Sequence, residues 1–295
     1  MSPRQPLPFR SARLPEGVRG ALHVLERALS RRHPAPPPPR DPAAGGLVVA
    51  SYNIHRCIGV DRRFDPGRVA AVIEELDADI VALQEADRRF GNRMGLLDLA
   101  TIERRTGLMH VPISQTPGGH GWRGNALLVR GGVATHGRRV ALPGAEPRGA
   151  LIVDLELPQG PLRVVTAHLG LLRRHRVQQA AHILLELRDL DRLRDLDRAR
   201  DMPPMPMLLM GDLNEWRPGA SSSLAPLAAL FGPFGPPLAS FPSRRPFLAL
   251  DRILAHPQGL IAAAHVHDSP LERLASDHLP LTARVRLASA LSEAA

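Results

Sequence analysis

The alternation of short apolar runs with amphipathic stretches gives the first indication of this chain's architecture. From Leu47 onward, apolar runs of strand length recur between turn residues. Nine are predicted as strands, at residues 47–52, 80–84, 125–129, 150–157, 162–167, 207–210, 251–255, 261–266 and 279–287. Several are apolar at consecutive positions, which indicates sheets that are covered on both faces. The pattern therefore predicts an α/β layered sandwich rather than an open barrel.

Three longer stretches carry apolar residues at helical spacing, at residues 66–76, 96–105 and 173–198. The first has one apolar face, formed by Val69, Val72, Ile73 and Leu76. The third is densely charged, and its predicted apolar side consists of Ile183, Leu184, Leu187, Leu190, Leu193 and Leu196. Acids alternate with its arginines, so we interpret the charged side as a solvated face with local ion pairs rather than a nucleic-acid surface.

The first 46 residues differ in character from the rest of the chain. They carry eight arginines against three acids, which is +5 of the total net charge of +9. An amphipathic helix is predicted over residues 17–32, followed by a proline run at residues 35–40. We predict an arm over residues 1–46, one folded domain over residues 47–288 and a tail over residues 289–295. The arm could contact nucleic acid or anionic lipid, but its composition favours a solvated tail.

The composition also indicates the cellular compartment in which the protein is expected. The chain has no lysine, so all of its fixed positive charge is arginine, and Cys57 is its single cysteine. One cysteine excludes an intramolecular disulfide, which is typical of a reducing compartment. No apolar run is long enough to cross a bilayer, and the first residues lack the pattern of a secretory signal. These observations predict a cytoplasmic protein without a transmembrane segment, and we expect a monomer.

Polar residues stand at the ends of five predicted strands. Asn53, Glu85 and His168 each follow an apolar run. Residues 212–214 offer an aspartate and an asparagine, and residues 277–278 an aspartate and a histidine. Each of these residues alone has a structural alternative, such as a turn cap or a core histidine. Because sites in α/β folds assemble at strand ends, their joint occurrence in one domain favours a functional site.

These side chains supply three carboxylates, two amides and two histidines without a cysteine. An oxygen-rich set suits Mg²⁺ or Mn²⁺ better than Zn²⁺. Hydrolysis at phosphorus needs a cation near the phosphate oxygens, a group that holds the attacking water and a group that stabilises the leaving oxygen. The set therefore indicates metal-assisted hydrolysis of a phosphoester.

The order and context of these residues resemble the endonuclease/exonuclease/phosphatase superfamily, also called DNase I-like. Six motifs match in order: Ser51-Tyr-Asn-Ile-His55, Leu83-Gln-Glu85, Thr166-Ala-His-Leu169, Gly211-Asp-Leu-Asn214, Leu250-Asp-Arg-Ile253 and Ser276-Asp-His-Leu-Pro280. Residues 123–129 also resemble a strand in which the asparagine, here Asn125, lies in the pocket. The resemblance covers roughly residues 47–287. It implies a four-layer α/β sandwich of two facing mixed β-sheets flanked by helices.

The resemblance also implies which residues form the site. Three would hold Mg²⁺ or Mn²⁺: Asn53, Glu85 and Asp277. Five would carry the chemistry: His168, Asp212, Asn214, Asp251 and His278. Three would bind substrate: Asn125, His55 and Arg56. For the last two, a solvated loop is the alternative.

Individual roles follow from the same resemblance. Glu85 would be the main metal ligand, and Asp212 would orient or deprotonate the attacking water. His278 would face the scissile phosphate, polarised by Asp251. His168 would provide a second contact to the phosphate, as in the deoxyribonuclease and sphingomyelinase branches. Asn214 would hold the phosphate or the attacking water.

Three functions remain open at this point. The favoured one is a phosphodiesterase acting on a phospholipid headgroup or another small phosphodiester, since residues beyond the arm carry a net charge of only +4. The alternatives are a nuclease acting on DNA or RNA, and an inactive binding module, which the complete polar set disfavours. Trp122 and Trp216 could stack on a base or line a lipid-facing rim, and for Trp216 packing under its loop is equally expected.

Overall fold

Eleven strands and five α-helices occur in the part of the chain that the computed structural model describes, residues 46–197, 205–217 and 219–287. The strands are β1 (Leu47–Asn53), β2 (Ile80–Gln84), β3 (Leu108–His110), β4 (Ala126–Arg130), β5 (Val133–Ala141), β6 (Gly149–Leu157), β7 (Gly160–His168), β8 (Met207–Asp212), β9 (Asp251–His256), β10 (Ile261–Val266) and β11 (Leu281–Val285). The helices are α1 (Pro66–Glu75), α2 (Leu99–Thr106), α3 (Arg173–Asp197), α4 (Ala228–Phe231) and α5 (Glu272–Ala275).

The strands form two mixed sheets. The first has six strands in the order β10-β11-β1-β2-β4-β3, and the second has five in the order β5-β6-β7-β8-β9. β1 and β2 are parallel, as are β7 and β8, and the remaining pairs are antiparallel. Each sheet therefore has one central parallel pair, and the site residues lie at the ends of these two pairs.

Both faces of the central strands are buried, and the two faces belong to different cores. In β2, Ile80 and Ala82 point into a core shared with the second sheet. Val81 and Leu83 point into a core shared with α1 and α2. Successive side chains of a strand alternate between faces, so an uninterrupted apolar run supplies two cores at once.

The opposite side of the second sheet is covered in the same way. Val165 and Leu209 of this sheet pack with Ile183 and Leu187 of α3. The order of layers is therefore α1 and α2, first sheet, second sheet, α3. This arrangement confirms the predicted four-layer sandwich.

Several predicted boundaries are corrected by the structure. α2 begins at Leu99 rather than at residue 96, because the Asp98 carboxylate accepts a hydrogen bond from Thr101 N at 3.1 Å and caps the helix. β11 covers only Leu281–Val285 of the predicted 279–287, because Leu279 N instead donates to Ser240 O at 2.8 Å. Leu193 was predicted on the buried side of α3, but it is 53% exposed.

Two strands were not predicted. β5 is polar along most of its length, and all but two of its residues are exposed. It is an edge strand held by its backbone ladder to β6, so its side chains show no alternation of apolar and polar positions. β3 has three residues, which is too short for any period to show.

The predicted arm, apart from Gly46, and the predicted tail lie outside the described residues, as does the end of the third predicted helix at Arg198. Within the described residues, no helix combines the length and apolarity that a bilayer span requires.

Candidate active site

The site residues converge because strand register places them at one edge of both sheets. Asn53 at the end of β1 pairs with Gln84 at the end of β2, and Glu85 follows directly. In the second sheet, Asp212 pairs with His168 on one side and with Asp251 on the other. Parallel neighbours end at the same edge and antiparallel neighbours begin there, which brings five predicted site residues together.

Asp212 of the second sheet contacts residues of both sheets. Its Oδ2 accepts a hydrogen bond from Asn53 Nδ2 at 3.0 Å. The same oxygen lies 3.3 Å from His168 Nε2 and 3.7 Å from His278 Nε2. Asp212 is only 2% exposed. Burial raises the pKa of this carboxyl, with a further contribution from Asp251, although the His278 charge opposes the shift.

His278 is held by Asp251. Its Nδ1–H donates to Asp251 Oδ2 at 2.8 Å, and the Phe241 ring lies against it with the ring centroids 4.9 Å apart. The Ser240 hydroxyl also donates to Asp251 Oδ2. Burial alone would lower the pKa of His278, but the carboxylates of Asp251 and Asp212 more than offset it and hold that pKa well above the usual value. The ring is therefore cationic at neutral pH, with Nε2–H directed toward Asp212.

His168, in contrast to His278, is neutral at neutral pH. Burial, with the positive charges of Arg148 and His278, lowers its pKa well below the usual value. Arg148 Nη1 lies 2.9 Å from Nδ1 and 2.7 Å from Nε2 of the ring, and a neutral imidazole accepts at one nitrogen only. Because Nε2 faces the Asp212 carboxylate, we infer that Nε2 carries the proton and Nδ1 accepts from Arg148. The two histidines beside Asp212 thus differ in charge.

Of the three predicted metal ligands, Glu85 and Asp277 are partly exposed, whereas Asn53 is buried. Asn53 Oδ1 accepts from His55 N at 3.0 Å, and His55 Nδ1 lies 3.6 Å from Asp277 Oδ1. The Ser276 hydroxyl donates to Asn53 O at 2.7 Å, which fastens the segment carrying Asp277 to the end of β1.

The environment of the Glu85 carboxylate fits a bound cation. Its Oε2 is buried and accepts no hydrogen bond from any described residue, although Arg56 Nε lies 3.2 Å away. Its backbone is left-handed, with φ of 55°. Buried carboxylate oxygens normally accept hydrogen bonds, so one whose described partner is only the Arg56 ion pair can still bind Mg²⁺ or Mn²⁺. The residues present therefore fit the predicted ion.

A second group of residues could also hold a metal. One ligand atom from each of Asp212, Asp251 and His278 lies within 4.8 Å of the others. However, His278 Nδ1 is already bonded to Asp251, and a cationic imidazole donates hydrogen bonds instead of binding metal. The surroundings of Glu85 therefore fit a cation better than this cluster does.

The turn after β8 is built to present Asn214. A Cβ added to Gly211 would lie 1.9 Å from Ala167 O, so only glycine allows the two strands this close an approach. Asn214 has φ of 51°, its N–H donates to Asp212 Oδ1 at 3.0 Å, and its Nδ2 donates to Leu169 O at 3.0 Å. The Asn214 side chain is thus tied to the loop after β7.

Glu215, which the sequence did not single out, fixes this turn from beneath. It is fully buried, and its Oε2 accepts from Ser223 N at 2.8 Å and lies 3.4 Å from Arg176 Nη2. Its Oε1 accepts from Arg217 N at 2.9 Å. Arg176 also donates to Gly170 O at 3.2 Å, so this ion pair joins the loops that follow β7 and β8.

Replacing Glu215 with glutamine is expected to lower the free energy of unfolding by about 3 kcal/mol, because it leaves the buried Arg176 charge without its partner. Burial raises the pKa of Glu215, but its hydrogen bonds more than offset this and lower it. The stabilisation is therefore present above the pKa of the unfolded state and lost as pH falls through the folded one. Denaturant unfolding at several pH values measures it, with exposed Glu103→Gln as control. A loss below about 0.5 kcal/mol would contradict this account.

An arginine-rich pocket opens beside Glu85 and His168. The pocket encloses about 60 Å³, and five arginines line it: Arg56, Arg89, Arg93, Arg123 and Arg148. Three of them lie near carboxylates, with Arg148 Nη2 2.7 Å from Glu146 and Arg93 Nη1 2.9 Å from Asp87. Arg56 near Glu85 is the third. Four of the five were not predicted, because nothing in the sequence separates them from the chain's other arginines.

Asn125 is not among the residues that line this pocket, although its neighbours Arg123 and Gly124 are. Its Nδ2 donates to Gly149 O at 3.0 Å and to Trp122 O at 3.2 Å, so the amide ties the start of β4 to the start of β6. Its Oδ1 is buried and accepts no hydrogen bond from a described residue.

The two tryptophans differ in position. Trp122 is partly buried, packs against the core between the sheets, and donates its Nε1–H to Val140 O at 3.1 Å. It is therefore a packing residue, and its ring is not free for stacking. Trp216 is 47% exposed, with the Arg217 guanidinium 4.9 Å from its ring centroid. Of the two predicted positions for Trp216, the structure shows the surface one.

Comparison with known proteins identifies the family of this chain. The model of the Endonuclease/Exonuclease/phosphatase family matches residues 50–278. The protein YbhP of Escherichia coli (strain K12) is 30% identical over 265 residues, which span 81% of this chain and 96% of that protein.

Solved structures show the same fold. An endonuclease/exonuclease/phosphatase from Beutenbergia cavernae DSM 12333 superposes with a TM-score of 0.58 at 22% identity, over 82% of this chain and 72% of that one. The human Nocturnin catalytic domain gives a TM-score of 0.59 at 19% identity, over 81% of this chain and 93% of that one.

Proposed function

The chain belongs to the endonuclease/exonuclease/phosphatase family, whose members hydrolyse phosphoester bonds, and we propose that it is a phosphodiesterase dependent on Mg²⁺ or Mn²⁺. The observation that carries the proposal is the contact of Asp212 with Asn53 and both histidines at the edge where the sheets meet. Asn53, Glu85 and Asp277 would hold the ion. When bound, it would neutralise charge on the phosphate oxygens.

In this proposal Asp212 orients the attacking water and accepts its proton. Burial raises its pKa, which brings the carboxyl closer to the range where a base is effective at neutral pH. Asn53 and Asn214 fix its two oxygens, because each donates to a different one. The carboxylate therefore keeps one orientation while the water attacks phosphorus in line with the leaving oxygen.

Both histidines donate hydrogen bonds to the phosphate in this proposal. Cationic His278 donates from Nε2 to a phosphate oxygen, while Asp251 fixes its ring and stabilises its charge. Neutral His168 donates from Nε2 and is oriented by Arg148 at its other nitrogen. Together with Asn214 they would stabilise the negative charge that builds up on the phosphorane-like transition state.

The arginine pocket supports a small anionic substrate. Five arginines lining one pocket suit an anionic phosphate group, and Arg56 and His55 lie close to the proposed metal ligands Glu85 and Asp277. We propose a phospholipid headgroup or another small phosphodiester as substrate. Guanidinium groups also bind the backbone of DNA or RNA, so a nuclease is the second candidate.

A panel assay tests both candidates. Purified protein with Mg²⁺ or Mn²⁺ is offered phospholipids, a chromogenic phosphodiester, plasmid, single-stranded DNA and RNA. We expect faster turnover of lipid or small phosphodiesters than of nucleic acid. The Asp212→Asn variant, purified in parallel, identifies contaminating activity because it should lose all turnover. Equal rates for both proteins, or hydrolysis of nucleic acid alone, would contradict the proposed substrate class.

A further inference from the structure

Exposed aromatic side chains are concentrated in loops around the candidate active site. Nine aromatic residues lie in the described ranges, and four of them are exposed: Phe64 (58%), Phe90 (81%), Trp216 (47%) and Phe247 (65%). Leu171 and Leu172 are also exposed, at 65% and 48%. Exposing so many rings has a cost in water, which indicates a surface that another phase or molecule covers.

Each of these side chains has an arginine next to it or within two positions. Arg62 and Arg63 precede Phe64, and Arg88 and Arg89 precede Phe90. The same pairing recurs in the other three loops, with Arg173 and Arg174 after Leu172, Arg217 after Trp216, and Arg244 and Arg245 before Phe247. All of these arginines are exposed except Arg217, which is half-buried. We call the six apolar residues with their nine arginines the apolar–arginine rim.

The fold places the rim at the edge that holds the site. Its loops follow β1, β2, β7 and β8 or precede β9, and those strand ends carry Asn53, Glu85, His168, Asp212 and Asp251.

Contacts link three of these loops to the site. Phe247 N donates to Phe241 O at 3.0 Å, and the Phe241 ring lies against His278. Leu171 N donates to Glu146 Oε1 at 2.8 Å in the wall of the arginine pocket. Ile58 pairs with Phe64 in an isolated bridge and accepts from His55 Nδ1 at 3.0 Å.

We propose that the apolar–arginine rim binds a membrane surface that carries anionic lipid and so sets the active-site cleft against the headgroups. Aromatic rings favour the boundary between headgroups and acyl chains, where their apolar faces leave water. Arginines beside them reach anionic phosphates, and each basic residue near such a surface adds to the attraction. The pattern repeats in five loops, so the contributions add over one face of the domain.

Two features favour a membrane over nucleic acid. Leu171 and Leu172 are aliphatic and have no ring to stack on a base, whereas they can enter the acyl region. The four rings also stand in four separate loops around the cleft, whereas a single strand of nucleic acid would stack on rings arranged in one line. This proposal rests on the proposed function, because a lipid phosphodiester would reach the active site from the membrane surface. Membrane binding itself does not require catalysis and can be measured separately.

Vesicle binding by the full chain tests the proposal. Flotation is compared for vesicles of phosphatidylcholine alone and of phosphatidylcholine with phosphatidylglycerol. The combined variant Phe64→Ser, Phe90→Ser, Trp216→Ser and Phe247→Ser is expected to bind the mixed vesicles at least about tenfold more weakly, because four rings no longer leave water. Its turnover of a soluble chromogenic phosphodiester should equal that of the parent chain. Failure of the parent chain to hydrolyse any phosphoester would count against the proposed function and not against vesicle binding.

Two further variants make the result decisive. Met109→Ser, Val133→Ser and Leu185→Ser together remove side chains of similar exposure (45%, 67% and 56%) away from the rim and should leave vesicle binding unchanged. Arg62→Gln, Arg63→Gln, Arg244→Gln and Arg245→Gln together remove four of the nine rim arginines and should weaken the preference for anionic vesicles.

Three outcomes would overturn the proposal: no vesicle binding by the parent chain, equal losses in the rim and control variants, or rim variants that lose binding to single-stranded DNA but keep vesicle binding. Because the basic residues 1–45 are present in every protein compared, binding through them alone would appear as an unchanged rim variant.

Discussion

Replacing His278 with alanine is expected to lower kcat by a factor of about 10²–10⁴, the usual contribution of one positioned acid or charge-stabilising group. The structure gives the reason for a large effect. The ring is buried, cationic because of Asp251 and Asp212, and directed by the 2.8 Å hydrogen bond from Nδ1 to Asp251. Alanine removes both the charge and the donor, and water cannot replace them in the same position. The measurement is steady-state turnover of a chromogenic phosphodiester at saturating metal.

Two comparisons define the role of His278. Asp251→Asn should show a milder loss, because the amide keeps a hydrogen bond to the ring but removes the charge that stabilises the imidazolium. His182→Ala, on the exposed side of α3 and 3.6 Å from Glu186, should be unaffected. Since His278 is not a ligand in this account, added Mg²⁺ should not restore the rate. Full rescue by metal would assign the imidazole to the metal site instead.

Replacing Glu85 with glutamine is expected to raise the metal concentration for half-maximal turnover by about 10–100-fold and to lower the rate below saturation. The amide keeps the size of the side chain but removes its negative charge. The buried Glu85 Oε2 without a hydrogen-bond partner among described residues is the position from which a cation would gain most. A titration of turnover with Mg²⁺ and Mn²⁺ measures the shift, and high metal should recover part of the rate.

The control for this experiment is Glu74→Gln, which removes an exposed carboxylate paired with Arg105 at 3.3 Å on the far side of α1 and should change nothing. The same titration separates the two places where a metal could bind. If Asp251→Asn or His278→Ala shifted the metal requirement and Glu85→Gln did not, the ion would belong to the cluster of Asp212, Asp251 and His278.

Much of the fold was predictable because strands that are buried on both faces have apolar residues at consecutive positions. Runs such as Ile80–Gln84 are apolar at nearly every position, so their length and composition alone indicate central strands. β5 lacks this apolar pattern, because it is an exposed edge strand held by backbone hydrogen bonds that any sequence can make. The start of α2 required knowledge of a cap, since Asp98 and not the apolar pattern fixes it.

The candidate site was predictable where residues stand at strand ends. Asn53, Glu85, His168 and Asp212 each stand at the end of an apolar run, which predicted a shared site, and the structure shows the parallel register of the two central pairs that places them at one edge. Arg148 and Glu215 could not, because both reach the site through loops whose course depends on tertiary contacts. In a chain that uses arginine for all of its fixed positive charge, no local feature distinguishes Arg148 from its neighbours.

The rim illustrates the same limit. The sequence shows arginine pairs beside Phe64, Phe90 and Phe247, but equally apolar residues elsewhere are buried. Only the fold shows that these loops share one edge and that their rings remain exposed.

Turnover by metal-stripped protein is the most direct test of the central claim that this chain is a metal-dependent phosphodiesterase. The chain is treated with chelator, dialysed and assayed on a chromogenic phosphodiester before and after stepwise addition of Mg²⁺ or Mn²⁺, with Asp212→Asn treated identically. We expect no turnover without metal, full recovery on addition of metal, and no turnover in the variant at any metal concentration. Undiminished turnover after stripping, or recovery of equal turnover in Asp212→Asn, would contradict it.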